Sequence, residues 1–287
     1  MKGSTHNLQR PAILIICIFF FSACAGLSPK ISKKSINFRS PSEAKAIISI
    51  LKSQNPKLKT IKGVGRITFL EKEEKEMTTR IAWVASTPDK IRITLSSVSG
   101  HPMISAASDG RWFYFVSHAS GDFYKKRPSN FNMKRFFLIS IKSEDLVSIL
   151  LGRIPLVNYN TSSFVEDRSL RGRTGKDIES AGVSSLNKDI KENKNSSVLL
   201  LKNKWGNIRE KIYLGDRDDV HKVEMFDSTG TLVYRLELIE MQEIKSYRVP
   251  HRLRISNDDG EGFQLDLDRY WADATVSPSV FTLTPLK

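Results

Sequence analysis

The sequence predicts a mainly β protein of the α+β kind, an antiparallel sheet with one wet and one apolar face, curled into a barrel or deep trough. Three observations carry this reading. Apolar and polar residues alternate with period two over many short stretches between residues 61 and 270. Turn signals, among them Asp109-Gly110, Ser228-Thr229-Gly230 and Asn257-Asp258-Asp259-Gly260, separate those stretches. Of 287 residues, 40% are hydrophobic and only two are cysteines, Cys17 and Cys24, which excludes both a disordered chain and a disulfide scaffold.

The first regular element is a helix over 41–55. Ser40 is its N-cap, Pro41 its first residue and Glu43 closes a capping box; Ala44, Ile47, Ile48 and Leu51 make one apolar stripe, and Pro56 stops it. The period then changes to two. Met77, Ile81, Trp83 and Ala85 share a face, as do Ile91, Ile93 and Leu95, with Lys90, Arg92 and Thr94 opposite. Ile104-Ser105-Ala106-Ala107 turns through Asp109-Gly110 into the aromatic strand Trp112-Phe113-Tyr114-Phe115-Val116, whose phase is ambiguous. A second short helix starts at Ser143-Glu144-Asp145, carries Leu146, Val147, Ile149, Leu150 and Leu151, and ends at Gly152 and Pro155.

Beyond it the alternation resumes through Ile212 and Leu214, Val223 and Met225, Tyr234, Leu236 and Leu238, Leu253 and Ile255, and Phe263, Leu265 and Leu267. The last two strands would set Arg252 and Arg254 beside Asp266 and Asp268. Residues 168–197 are polar without periodicity and read as an exposed loop within one domain, since strands of the same kind follow. About eleven strands fit this pattern.

The N-terminus sets a compartment. Lys2 and Arg10 precede an apolar run of about ten residues, too short to span a bilayer and suited to a secretory signal. Phe21-Ser22-Ala23-Cys24-Ala25 resembles a bacterial lipobox, which implies a signal peptide over 1–23 and a mature N-terminus at Cys24 bearing a covalent diacylglycerol and an N-acyl chain. Two or three acyl chains hold a protein stably on a membrane, where one does not. Ala25 after the cysteine, by the rule for such lipoproteins, implies the periplasmic face of the outer membrane. Residues 24–40 form a basic tether and 41–287 the folded domain. The formal charge of +14 suits lipid phosphates or polyanionic envelope polymers before nucleic acid.

Signals for chemistry are absent. Histidines 101, 118, 221 and 251 have no metal-ligand spacing, Gly63-Val64-Gly65 lacks the rest of a phosphate loop, and there is no GxSxG elbow. No cofactor and no enzymatic activity are expected. From composition alone the apolar residues make a packed core.

The order of elements resembles the LolA/LolB-like fold of outer-membrane lipoprotein sorting, and within it lipid-anchored LolB-like relatives. The likeness rests on helix 41–55, on Ile61-Lys62-Gly63-Val64-Gly65-Arg66-Ile67, on Ser86-Thr87-Pro88-Asp89-Lys90-Ile91-Arg92, on Ser108-Asp109-Gly110-Arg111-Trp112-Phe113-Tyr114, on Val249-Pro250-His251-Arg252-Leu253 and on Phe281-Thr282-Leu283-Thr284-Pro285. It implies an open antiparallel half-barrel whose short helices cover a concave apolar face. Acyl chains would lie against Trp83, Ile91, Ile93, Leu95, Phe113, Phe115, Leu236, Leu253 and Leu265. The loop carrying Val98 and Met103 would meet the membrane, Val98 standing where the family has a larger leucine. Implied partners are acyl chains of lipids or lipoproteins, the membrane itself and a soluble periplasmic carrier, served by a monomer. Two other functions stay open: a non-enzymatic envelope scaffold or stress sensor, and an envelope-polymer hydrolase, which would need paired carboxylates of raised pKa in a cleft.

Overall fold

Strand alternation becomes one continuous sheet in the structure, a computed structural model that describes residues 40–72, 76–127, 134, 138–166, 197–215 and 218–286. All of these fall within one unit, Ile36–Lys287. Cys24, the signal and the tether before residue 40 lie outside the described residues, as does nearly all of the polar stretch 168–197.

Helix α1 spans Pro41–Lys52, and the Ser40 hydroxyl accepts from the Glu43 amide at 3.3 Å, as the capping pattern requires. It ends three residues short of the expected 55, with Ser53 as its C-cap. Six strands follow: β1 (Thr60–Leu70), β2 (Met77–Ser86), β3 (Lys90–Ser96), β4 (Pro102–Ser108), β5 (Phe113–Ser117) and β6 (Phe123–Lys126). Helix α2 (Ser143–Leu150) precedes seven more: β7 (Thr161–Glu166), β8 (Ser197–Lys202), β9 (Ile208–Leu214), β10 (Val220–Phe226), β11 (Leu232–Ile244), β12 (Tyr247–Ser256) and β13 (Gly262–Ala272). A 3-10 turn at Pro278–Phe281 begins the C-terminal segment.

The sheet runs β6-β5-β4-β3-β2-β1-β13-β12-β11-β10-β9-β8-β7, antiparallel throughout. It is two meanders joined where β1 pairs with β13. Its thirteen strands exceed the eleven or so that the pattern suggests. The two outermost strands, β6 (Phe-Tyr-Lys-Lys) and β7 (Thr-Ser-Ser-Phe-Val-Glu), are short and carry little alternation, so hydropathy gives them no signature.

Nearly all buried apolar residues form a single cluster on one face. Helix α2 packs on that face against β2, β3 and β12 together. Those outer two strands are four strand spacings apart, about 19 Å in a flat sheet, and a helix is about 10 Å wide. A sheet of this many twisted strands curls, and α2 lies on its apolar, concave face.

Close backbone approach explains two glycines in β1. A Cβ on Gly63 would lie 1.9 Å from the Trp83 ring, and one on Gly65 would lie 2.1 Å from the Asp266 carbonyl oxygen, next to the register shift between Val64 and Gly65. The last hairpin pairs Arg252 with Asp266 as expected. Arg254, however, faces Gln264 and reaches Glu237, and Asp268 falls at the bulge, beyond reach of that pairing.

Candidate functional site

The residues expected to line a trough do share the concave wall. Trp83, Ile91, Ile93, Leu95, Phe113, Leu236, Leu253 and Leu265 are all at most 7% exposed and belong to the main cluster. Phe115 packs half-buried against that cluster, its ring 5.6 Å from that of Tyr124. Apart from half-buried Phe115 these side chains are almost closed to solvent, packed against the chain's own apolar groups.

The filler is a cover built from residues 138–159. Ile139 and Ile141 lead into α2, whose Leu146, Val147, Ile149 and Leu150 are buried, and Leu151 and Ile154 follow around the turn at Gly152. That turn needs a left-handed residue, φ being +70°, and a Cβ there would strike the Arg248 carbonyl oxygen at 2.2 Å. From Gly152 the chain continues to β7 without helix or strand.

Polar contacts pin the cover at both ends. At the turn, the Asn55 amide donates to the carbonyls of Leu151 and Arg248 at 2.8 and 2.7 Å. The Arg153 guanidinium donates to the carbonyls of Asn55, at 2.8 Å, and Leu58. The Tyr270 hydroxyl donates to Leu150 at 2.6 Å. Away from the turn, the Tyr234 hydroxyl donates to Asp145 at 3.2 Å, and the Val157 amide donates to Glu210 Oε2 at 2.9 Å.

Glu210 is fully buried, and burial pushes its carboxyl up to about 8, the Val157 amide opposing and the Asp145 charge reinforcing the shift. It therefore sits in the wall as a neutral acid at pH 7. Burial also raises Asp145, against the charge of Lys142 and the Tyr234 hydrogen bond. Two polar atoms of the wall, Trp83 Nε1 and Glu210 Oε1, have no hydrogen-bond partner. The pattern search missed Glu210, which was visible only as one charged residue in the inward phase of Ile212 and Leu214.

At the turn of the cover lies a cleft of about 100 Å³. Ile154, Val220, Leu238 and Met241 give it apolar walls, while Gln54, Asn55, Asp218, Asp219 and Arg248 give it polar ones. Arg248 Nη1 pairs with Asp219 Oδ1 at 2.5 Å, and Gln54 Oε1 is buried without a partner. None of the trough residues read from sequence lines this cleft except through the shared wall strand β11.

The loop between β3 and β4 presents Val98 to solvent at 83% exposure, whereas Met103, at the start of β4, is half-buried. Among the described residues no three His, Cys, Asp or Glu side chains are grouped to hold a metal ion, and no helix is long and apolar enough to cross a membrane.

No protein-family model and no curated protein matches the chain. Solved structures do. A DUF1329 family protein from Desulfovibrio piger aligns with a TM-score of 0.54 at 11% identity, over 85% of this chain and 98% of its own. A domain assigned to outer membrane lipoprotein sorting, from Vibrio parahaemolyticus, aligns with a TM-score of 0.55 at 13% identity, over 84% and 97%. At such identities the likeness is one of fold: the chain shares the open β half-barrel of these proteins.

Proposed function

We propose that this chain is an envelope lipoprotein that takes up hydrocarbon chains between its cover and its concave sheet, and so handles lipids or acylated proteins at the periplasmic face of the outer membrane. The observation that carries this reading is the cleft at the turn of the cover, where Asp218, Asp219 and Arg248 share the lining with Ile154, Val220 and Leu238, which belong to or pack against the main core. The fold shared with a lipoprotein-sorting domain supports it. An amphiphile would leave its head against Arg248, Asp218 and Asp219 and thread its tail past Ile154 and Leu238.

Because the wall is already filled, the tail must lift the cover. The six hydrogen bonds that tie the cover to the rest of the chain break at about 1 kcal/mol each net, against about 10 kcal/mol for withdrawing a sixteen-carbon chain from water. The apolar face of α2 then closes over the guest. Acylation at Cys24 holds the protein at the membrane in this reading, and Val98 is the loop residue placed to touch it.

The test is a photoactivatable fatty acid presented to the full-length chain. The reading expects cross-links to Ile154 and Leu238, faster labelling in Asn55→Ala and loss of labelling in Ile154→Asp. Absence of cross-links in a folded protein would overturn it. A second reading, a scaffold that binds other envelope proteins without a guest, is favoured by the filled wall itself. It expects no fatty-acid labelling in any variant.

A further inference from the structure

The outer face of the sheet carries charge in a regular pattern that neither the trough nor the cover uses. Cross-strand register sorts it into rows. One row reads Arg80, Arg66, Asp266, Arg252, Glu240 across β2, β1, β13, β12 and β11. The next reads Arg254, Glu237, Lys222, and a third Arg235, Glu224, Lys211. In each row the cations outnumber the acids by one. On the other side of the first row lies a fourth, Arg92, Val84, Lys62, Trp271, with no acid at all, its Arg92 end taken up by the C-terminal segment through the Val280 carbonyl.

The acids in these rows act as struts. Glu224 accepts from Tyr213 at 2.8 Å and from Arg235 at 3.1 Å, with the Lys222 and Lys211 ammonium groups at 3.5 and 3.8 Å. Burial opposes its ionisation, but the Tyr213 hydrogen bond and the charges of Lys222 and Arg235 hold its carboxyl below the usual range. Asp266 holds Arg252 in the same way. Each row keeps one surplus positive charge, and cations fixed in this manner lose little side-chain freedom when a ligand arrives. Arg80 stands opposite Arg66 and Ser96, with no acidic partner among the described residues. Two arginines facing each other across a strand pair repel, a cost that an anion between them would relieve.

Shape and chemistry select the ligand. The rows run around the curved sheet, so a flat bilayer would reach only a few strands at once, whereas a flexible chain can follow a whole row. Trp271, 47% exposed and level with Lys62, offers an apolar ring face beside the cations. We propose that this outer face binds a linear anionic polysaccharide, its acidic groups on the arginine rows and a sugar ring against Trp271. The inference is independent of the acyl-chain reading, since it uses the opposite face of the sheet.

The experiment measures binding of an oligogalacturonate to the full-length chain in a neutral detergent. Inorganic polyphosphate of equal charge and mixed micelles containing phosphatidylglycerol serve as the other arms. Expected are a Kd that weakens steeply with salt and a change in tryptophan fluorescence. The pair Arg66→Gln and Arg80→Gln should weaken binding about tenfold, and Trp271→Ala about fivefold with loss of the fluorescence change. The pair Lys45→Gln and Lys57→Gln removes equal charge from exposed positions off the sheet and should stay within about twofold. Equal losses in both double variants would reduce the effect to overall charge and overturn the proposal. So would a preference for polyphosphate or for the charged micelles, or no binding by a protein whose melting temperature is unchanged.

Discussion

Two regions of the same sheet solve the problem of their outer face differently. In the arc from β8 to β13 the concave side is apolar and the outer side is a lattice of ion pairs, so burial alternates cleanly along β8 and β9. In the wing formed by β4 and β5 both sides are covered. Phe113 and Ala106 face the main core, while Tyr114, Val116 and Ala107 face outward into a second cluster with Trp112 and Phe123, closed by Leu283 of the C-terminal segment. That segment crosses the outer face of β3, where Arg92 donates to the Val280 carbonyl at 3.4 Å. The contrast teaches that a strand's wet face is fixed by what lies across it, and that a short tail from the far end of the chain can convert a wet face into an interior one.

The contrast can be broken at its strongest point first. Leu253→Glu places a carboxylate on the fully buried concave wall and should cost more than about 4 kcal/mol, unfolding the protein by circular dichroism. A folded, stable variant would mean that the concave face is not the core. Tyr114→Lys tests the wing. On a wet outer face it would be neutral; under the tail it also loses the hydrogen bond to Asp109, at 2.9 Å, and should cost about 3 kcal/mol in a denaturant titration.

Glu210 gives a pH signature to the arc. Its folded-state pKa of about 8 lies above the ordinary value of 4.5, so the folded protein holds a proton that the unfolded chain releases. Its contribution is present in full below about pH 4.5 and is lost as pH rises to about 8. Glu210→Gln keeps an acceptor for the Val157 amide and should flatten the fall in melting temperature over that window, raising it at pH 8 by about 4 °C or more. An unchanged slope would assign the pH dependence to other groups. The smallest effect belongs to the outer lattice. Lys211→Gln leaves Glu224 with Lys222 and Arg235 and should change stability by less than about 0.5 kcal/mol.

How much of this was legible follows from where each residue's partners lie. The α1 cap, the Asn257–Gly260 turn and the inward phase of β2, β3, β9 and β12 depend on neighbours within a few residues, and pattern reading finds them. The Arg252–Asp266 pair was readable because one tight turn sets its register. Arg254 was assigned the wrong acid because its acidic neighbour, Glu237, comes from the strand before and no local pattern carries that distance. The aromatic strand β5 could not be phased, since both of its faces are interior. Helix α2 was visible as a helix, and the family resemblance implied that short helices cover the concave face; that its side chains fill that face was not readable.

The sequence by itself determined a sheet with one greasy face, two amphipathic helices and a positive excess, because those properties are sums over local alternation, capping and charge. Tertiary structure alone decided that α2 fills the concavity, that Glu210 is buried uncharged beneath the cover, that a tail seals the wing and that the surplus cations line up in rows. Each of these depends on contacts between residues dozens to hundreds of positions apart, whose free energies appear only once the chain has closed on itself.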